Sequence, residues 1–278
     1  MSEKNTHFHL VIEANTIQKE YFKDLFRYRE LFYFFAWRDI IVRYKQTLLG
    51  VAWAVIRPLL NMAVFALVFG KIANLDSEGI NYPLFVLAGM VPWQFFANSL
   101  LDSSNSLVTH APMISKIYFP RMILPAYYII VSFIDFLISL VTLFALFIVT
   151  QTPFHWNLVM LPVFILLTIL LCLGSSLWLS ALTVRFRDFR FLVPFIVQFG
   201  MFISPVGYGS FLVSDTWRWI YFLNPMAGII EGFRWCCFGV THSYLPLALG
   251  FSITINALLL VTGFRFFRKM ERLFADII

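Results

Sequence analysis

The chain has 278 residues, of which 60% are hydrophobic and 13% charged, with a formal net charge of +6. Soluble domains carry about 45–50% apolar and about 25% charged residues, so this composition excludes a soluble globular protein and implies an integral membrane protein. The excess of positive charge is gathered in particular segments, which reads as membrane topology rather than as a nucleic-acid surface.

In chain order, residues 1–26 form a polar N-terminal segment with charges of both signs and no apolar stretch of the signal-peptide kind. The first span is therefore expected to act as its own insertion signal. An amphipathic helix is expected over 27–47. Trp37, Ile40, Ile41 and Tyr44 recur at i, i+3, i+4 and i+7, while Arg38, Asp39, Arg43, Lys45 and Gln46 take the other side. Residues 48–278 read as one transmembrane domain, because a hydrocarbon core about 30 Å thick needs roughly 20 apolar helical residues. Six runs qualify: Leu48–Ala73, Tyr82–Leu101, Met122–Thr150, Asn157–Val184, the shorter Phe191–Val206, and Leu245–Phe267. Between the last two, 207–244 is moderately apolar but interrupted by Gly207, Gly209, Pro225 and Gly239. Short re-entrant or outer-side helices fit there, covered by protein or water. The fold class is thus all-α, with six transmembrane helices.

Orientation follows Lys and Arg. Residues 1–47 hold eight, 102–121 two, 185–190 three and the tail from Arg265 four, which is 17 of the 21 in the chain. In a six-span arrangement all of these lie on one side, so both termini are expected to be cytoplasmic. Motifs for chemistry are missing: GxxxxGK[ST], HExxH and GxSxG do not occur, and five scattered histidines share no ligand spacing with three cysteines. No metal site and no resident cofactor are expected, and energy for transport must come from an ion gradient or another subunit. Asp135 is the acid in the middle of a span; it is either functional or paired with Arg57 or neighbouring hydroxyls.

Five stretches in order carry a resemblance: "RDIIVRYKQTLLGVAWAVIRPLL" at 38–60, "LFVLAGMVPWQFFANSL" at 84–100, "KIYFPRMILP" at 116–125, "RFRDFRFLVPFIVQFGMFISPVGY" at 185–208 and "LNPMAGIIEGFRW" at 223–235. Together they resemble the membrane permease of type-2 ATP-binding-cassette exporters, in the branch that exports O-antigen, capsule and teichoic acid. The resemblance implies a bacterial inner-membrane homodimer that recruits two copies of a separate ATPase, where ATP and magnesium are bound. It implies a lipid-linked polysaccharide as substrate, O-antigen first among the candidates, and no nucleic acid. It makes 27–47 the interface helix and about Ser103–Lys116 a coupling helix. Arg38, Asp39, Arg43, Lys45, Lys116, Arg185 and Arg187 then face the ATPase, positive-inside topology alone being the competing account of each basic cluster. Phe65 and Phe69 on the first span and Phe195, Phe199 and Phe202 on the fifth would line the canal, where aromatic rings stack on sugar C–H faces and let a polymer slide. Tyr208, Glu231 and Arg234 would form the outer gate, Glu231 and Arg234 being one helical turn apart.

Arg57 lies about 13–14 Å into the first span at helical rise, and Pro58 is expected to bias it out of the helix. It either snorkels to the interface among membrane lipids or meets phosphate near the cytoplasmic entrance, on a lipid-linked substrate or a bilayer lipid. Alternatives to polysaccharide export are a drug or lipid exporter of the same fold and, from another class, a membrane-embedded glycosyl- or acyltransferase. Asp135, His110 and His155 are too scattered to favour the last.

Overall fold

A computed structural model describes residues 21–45, 50 and 52–274. Most of the polar segment 1–26 and the junction 46–49 therefore lie outside the described residues. Among the described residues, five helices are long and apolar enough to cross a membrane. The first is Ala52–Ile72, which comprises α3 (Ala52–Phe65) and a π-helical continuation over Ala66–Ile72. It is followed by α4 (Tyr82–Thr109) and α6 (Ile123–Val149), with the one-turn α5 (Ala111–Ile114) between them. A 3-10 turn at Trp156–Met160 leads into α7 (Leu161–Arg185), and α11 (Leu245–Glu271) completes the set.

The expected fifth span is α8 (Phe189–Ile203), only 15 residues long. At about 1.5 Å per residue it reaches about 22 Å, short of a hydrocarbon core of about 30 Å. Its end has a local cause. Ser204 precedes Pro205 and adopts extended geometry, φ −81° and ψ 151°, as a residue before proline prefers. Two short helices follow: α9 (Asp215–Tyr221) and α10 (Pro225–Phe238). The "NPM" triplet explains how α10 begins. The Asn224 side chain accepts from the Met226 N–H at 3.1 Å, and Pro225 occupies the first turn, where its missing donor does no harm. Gly239 ends α10 at φ +73°, a left-handed position suited to glycine.

The interface region divides into α1 (Tyr21–Arg27) and α2 (Arg29–Lys45). These helices pack on the bundle by a face that includes part of the expected stripe, with Ile40 against the same apolar cluster and Tyr44 on Asp135. Phe35 and Ala36 are buried against Leu107, Phe119 and Tyr127, whereas Trp37 is 52% exposed and stacks on the exposed Tyr33. Helix α4 forms the centre, with 78% of its most apolar window buried, against 6% for the Ala52–Ile72 helix. Helices α7 and α11 cross closely at two glycines. A Cβ on Gly174 would lie 2.8 Å from the Leu260 backbone nitrogen, and one on Gly263 only 2.5 Å from the Gly174 carbonyl. Small residues at such crossings let backbones meet where no water-driven force joins helices. The cysteines Cys172, Cys236 and Cys237 are buried and unbridged, as apolar fillers.

Candidate functional site

Four groups of residues singled out in the sequence can now be placed. The first surrounds the end of α2. Arg43 turns inward rather than toward water, bonding Asp102 on α4 at 2.8 Å and Asp135 on α6 at 2.6 Å. Tyr44 donates to the other oxygen of Asp135. Two carboxylates within a helical bundle need a counter-charge, and the last turn of α2 supplies it. Burial works against the Arg43 charge, but the bonds and charges of Asp102 and Asp135 outweigh it and raise the guanidinium above its usual range. Asp135 thus pairs with Arg43, not with Arg57. Asp102 escaped notice because the apolar run was read as ending at Leu101, whereas α4 continues for two turns beyond it. A carboxylate inside a long apolar helix was the available signal.

For the same reason the expected coupling helix differs: Ser103–Thr109 belongs to α4, and only Ala111–Ile114 forms a separate turn. The serines here stay helical, Ser103 donating to the Pro125 carbonyl and Ser106 to the Ser103 carbonyl. His110 makes the corner. Its Nδ1 lies 2.9 Å from the Ser106 carbonyl and must donate there, so Nε2 accepts from the Tyr127 hydroxyl at 3.3 Å and lies 3.5 Å from Arg38. Arg38, paired with Asp39 at 2.8 Å, therefore touches the corner between α4 and α5. Lys45, Lys116, Arg185 and Arg187 are exposed.

The second group is aromatic. Phe65 lies 5.3 Å from Phe69 and stacks on Phe202 of α8 at 6.4 Å and 15°, so the first span and α8 meet through the rings expected to line a canal. Phe195 and Phe199 pair at 4.2 Å further along α8. All three α8 rings are more than half exposed. Gly207 fits under Phe65 and Phe69, where a Cβ would come within 2.8 Å of a ring.

The third group converges fully. Glu231 and Arg234 are each 5% exposed at the side chain and lie 3.4 Å apart. Glu231 accepts from the Ser210 N–H and hydroxyl at 3.0 and 2.8 Å. Arg234 donates to the carbonyls of Val206 and Tyr208 at 2.9 and 3.0 Å and lies 3.6 Å from the Phe85 ring centroid. Tyr208 donates to the Ile203 carbonyl and accepts from Tyr221. The irregular chain from Ile203 to Ser210 is thus pinned to α10 by one buried ion pair, which meets its backbone's need for partners.

Arg57 stands apart. Helix α3 runs unbroken through Pro58, so residue 57 stays helical, contrary to expectation. Its guanidinium lies 5.7 Å from the Trp53 ring centroid. It lines a cavity of about 390 Å³ bounded by the end of α2, α3, α4 and α6, together with Arg43, Asp102, Asp135, Gln94, Asn98 and Ser132.

A node missed entirely joins both ends of the described chain. Glu271 at the end of α11 accepts from the Arg121 N–H at 3.0 Å and the Tyr21 hydroxyl at 3.2 Å, and pairs with Arg268 at 3.2 Å. Single polar residues far apart in sequence gave no local pattern to reveal it.

Comparison with known proteins agrees with this architecture. Residues 30–238 match the family described as ABC-2 type transporter. An O-antigen export system permease protein of Klebsiella pneumoniae is 29% identical over 87% of this chain and 92% of its own length. One from Myxococcus xanthus is 26% identical over 76% of this chain and 82% of its own. A polysialic acid transport protein of Escherichia coli is 21% identical over 81% and 85%. With three-quarters of its length matched and its multi-spanning helical bundle in place, the chain belongs to the ABC-2 type transporter family, as a membrane permease related to the O-antigen and polysaccharide exporters.

Proposed function

We propose that this permease exports a lipid-linked polysaccharide, O-antigen in particular, across the bacterial inner membrane. Two copies of the chain form the channel, and two copies of a separate ATPase drive it. The observation that carries the substrate is the set of relatives named as O-antigen export permeases, similar over more than three-quarters of the chain. Charge supports six crossings with both termini cytoplasmic. If α8 did not cross, the basic tail from Arg265 would emerge opposite the basic N-terminal region, against the positive-inside tendency. Helix α8, at 15 residues, is the short member of the six.

In this reading, residues 27–47 form the interface helix and 48–278 the transmembrane domain, with 207–244 shaping its outer mouth. Arg38, Asp39, Lys45, Lys116, Arg185 and Arg187 meet the ATPase, while Arg43 fastens their helix to the bundle. The meeting of Phe65 and Phe69 with Phe202, and the exposure of Phe195 and Phe199, support a canal wall between the first span and α8. The node of Tyr208, Glu231 and Arg234 steadies the exit. The test is deletion followed by analysis of surface glycan. Finished lipid-linked polymer should accumulate inside while synthesis continues, and a normal surface polymer would refute export of this cargo.

A further inference from the structure

The cavity beside α2 brings charges of both signs close together. Its volume of about 390 Å³ falls in the range of small-ligand sites, about 300–1,000 Å³. From α3 comes Arg57, a guanidinium with no carboxylate partner among the described residues. From α4 and α6 come Asp102 and Asp135, which among the described residues share the cation of Arg43, so that these three side chains sum to a charge of −1. Their side chains remain 33% and 21% exposed. Ser132, fully buried, also lines the cavity, and its hydroxyl has no hydrogen-bond partner among the described residues. Pro58 has no N–H to offer Ala54, whose carbonyl therefore lacks its helical donor at the same cavity.

These features select among ligands. A multiply charged phosphate would gain at Arg57 but face the two carboxylates. A simple cation would meet the reverse. A zwitterion with adjoining phosphate and ammonium satisfies both sides. A primary ammonium can also donate to a carboxylate, a carbonyl and a hydroxyl, which a quaternary one cannot. The Ala52–Ile72 helix beside the cavity has only 6% of its window buried, and the face it turns away from the Phe65 and Phe69 canal wall is taken to meet lipid. From this geometry we infer that the cavity binds the headgroup of a phosphatidylethanolamine-type bilayer lipid. Its phosphate lies on Arg57 and its ammonium against Asp102, one of whose oxygens Arg43 leaves unbonded. This lipid is a resident of the permease, separate from the exported cargo, and braces the end of α2 against the first span.

The test uses the full-length permease with its ATPase partner, purified in detergent and stripped of lipid. Short-chain phosphatidylethanolamine, phosphatidylglycerol, phosphatidylcholine and a polyprenyl phosphate are titrated in turn, with binding read from the rise in melting midpoint. Phosphatidylethanolamine should bind at least about tenfold more tightly than the other three, the scale of one charge-assisted hydrogen bond. Arg57→Gln should weaken it about tenfold, and Arg57→Lys should restore part of the loss. Asp102→Asn, which leaves Arg43 paired to Asp135, should abolish the preference for phosphatidylethanolamine over phosphatidylglycerol. Polyprenyl phosphate or phosphatidylglycerol binding as tightly as phosphatidylethanolamine would overturn the inference in favour of an anion site. Equal binding of phosphatidylcholine, or indifference to Arg57→Gln, would reduce it to unspecific annular lipid. The ranking on the unaltered protein decides the matter even if a variant fails to fold.

Discussion

Replacing Arg234 by methionine tests whether the outer segment is held by the buried ion pair. The native guanidinium serves the carbonyls of Val206, Tyr208 and Phe85 at 2.9, 3.0 and 3.4 Å and neutralises Glu231. Methionine fills much of the volume but leaves those acceptors without a donor and Glu231, 4% exposed, without a counter-charge. Breaking one side of a buried pair costs about 3–5 kcal/mol. At about 2–4 °C per kcal/mol for chains near this size, the midpoint should fall by about 10 °C. Thermal unfolding in detergent, followed by fluorescence-detected size exclusion, provides the measurement. Adding Glu231→Gln removes the stranded charge while its amide oxygen still accepts from Ser210, so the double variant should regain about 1–3 kcal/mol. A fall below about 2 °C for Arg234→Met, or a deeper fall in the double variant, would refute the idea that this pair pins residues 203–210.

Three further outcomes are expected. Gly174→Ala should destabilise by about 1–3 kcal/mol, because the new methyl meets α11 backbone that cannot step aside. Gly250→Ala on the same α11, with open space around it, should be neutral or stabilising, as a comparison of the two midpoints will show. Arg38→Glu, at a side chain 43% exposed, should raise ATP hydrolysed per polymer exported while membrane insertion is unchanged. Arg43→Glu should instead lower the amount of folded protein, by crowding three carboxylates. In the loop before α4, burial raises the Glu78 carboxyl above its ordinary range despite the nearby His242 at 3.1 Å. A folded-state pKa that is raised favours the fold at acid pH and loses that contribution as pH climbs through it. Glu78→Gln should therefore hold its midpoint at pH 7.5 and flatten the loss of stability as pH rises above the ordinary carboxylate range; a clearly lower midpoint at pH 7.5 would mean that the ion pair dominates.

The membrane class, the positions of five long helices and the family were legible in the sequence, because hydropathy and charge are local properties that each segment carries with it. The Glu231–Arg234 pair was legible for a similar reason: three residues apart on a helix places two side chains together before any other element is considered. The amphipathic segment shows where that reasoning stops. Its periodicity announced a helix with Trp37 and Tyr44 on a stripe at headgroup level. Packing added Phe35 and Ala36 to the inward side and brought Arg43 and Tyr44 to Asp135, leaving Trp37 exposed. The length of α4, the corner at His110 and the Glu271 node likewise depend on residues up to 250 positions apart. Sequence by itself determined which segments prefer lipid to water and where each helix could begin. Only the tertiary structure decided which buried charges neutralise one another, since that choice minimises desolvation across the whole bundle and is invisible to any single segment.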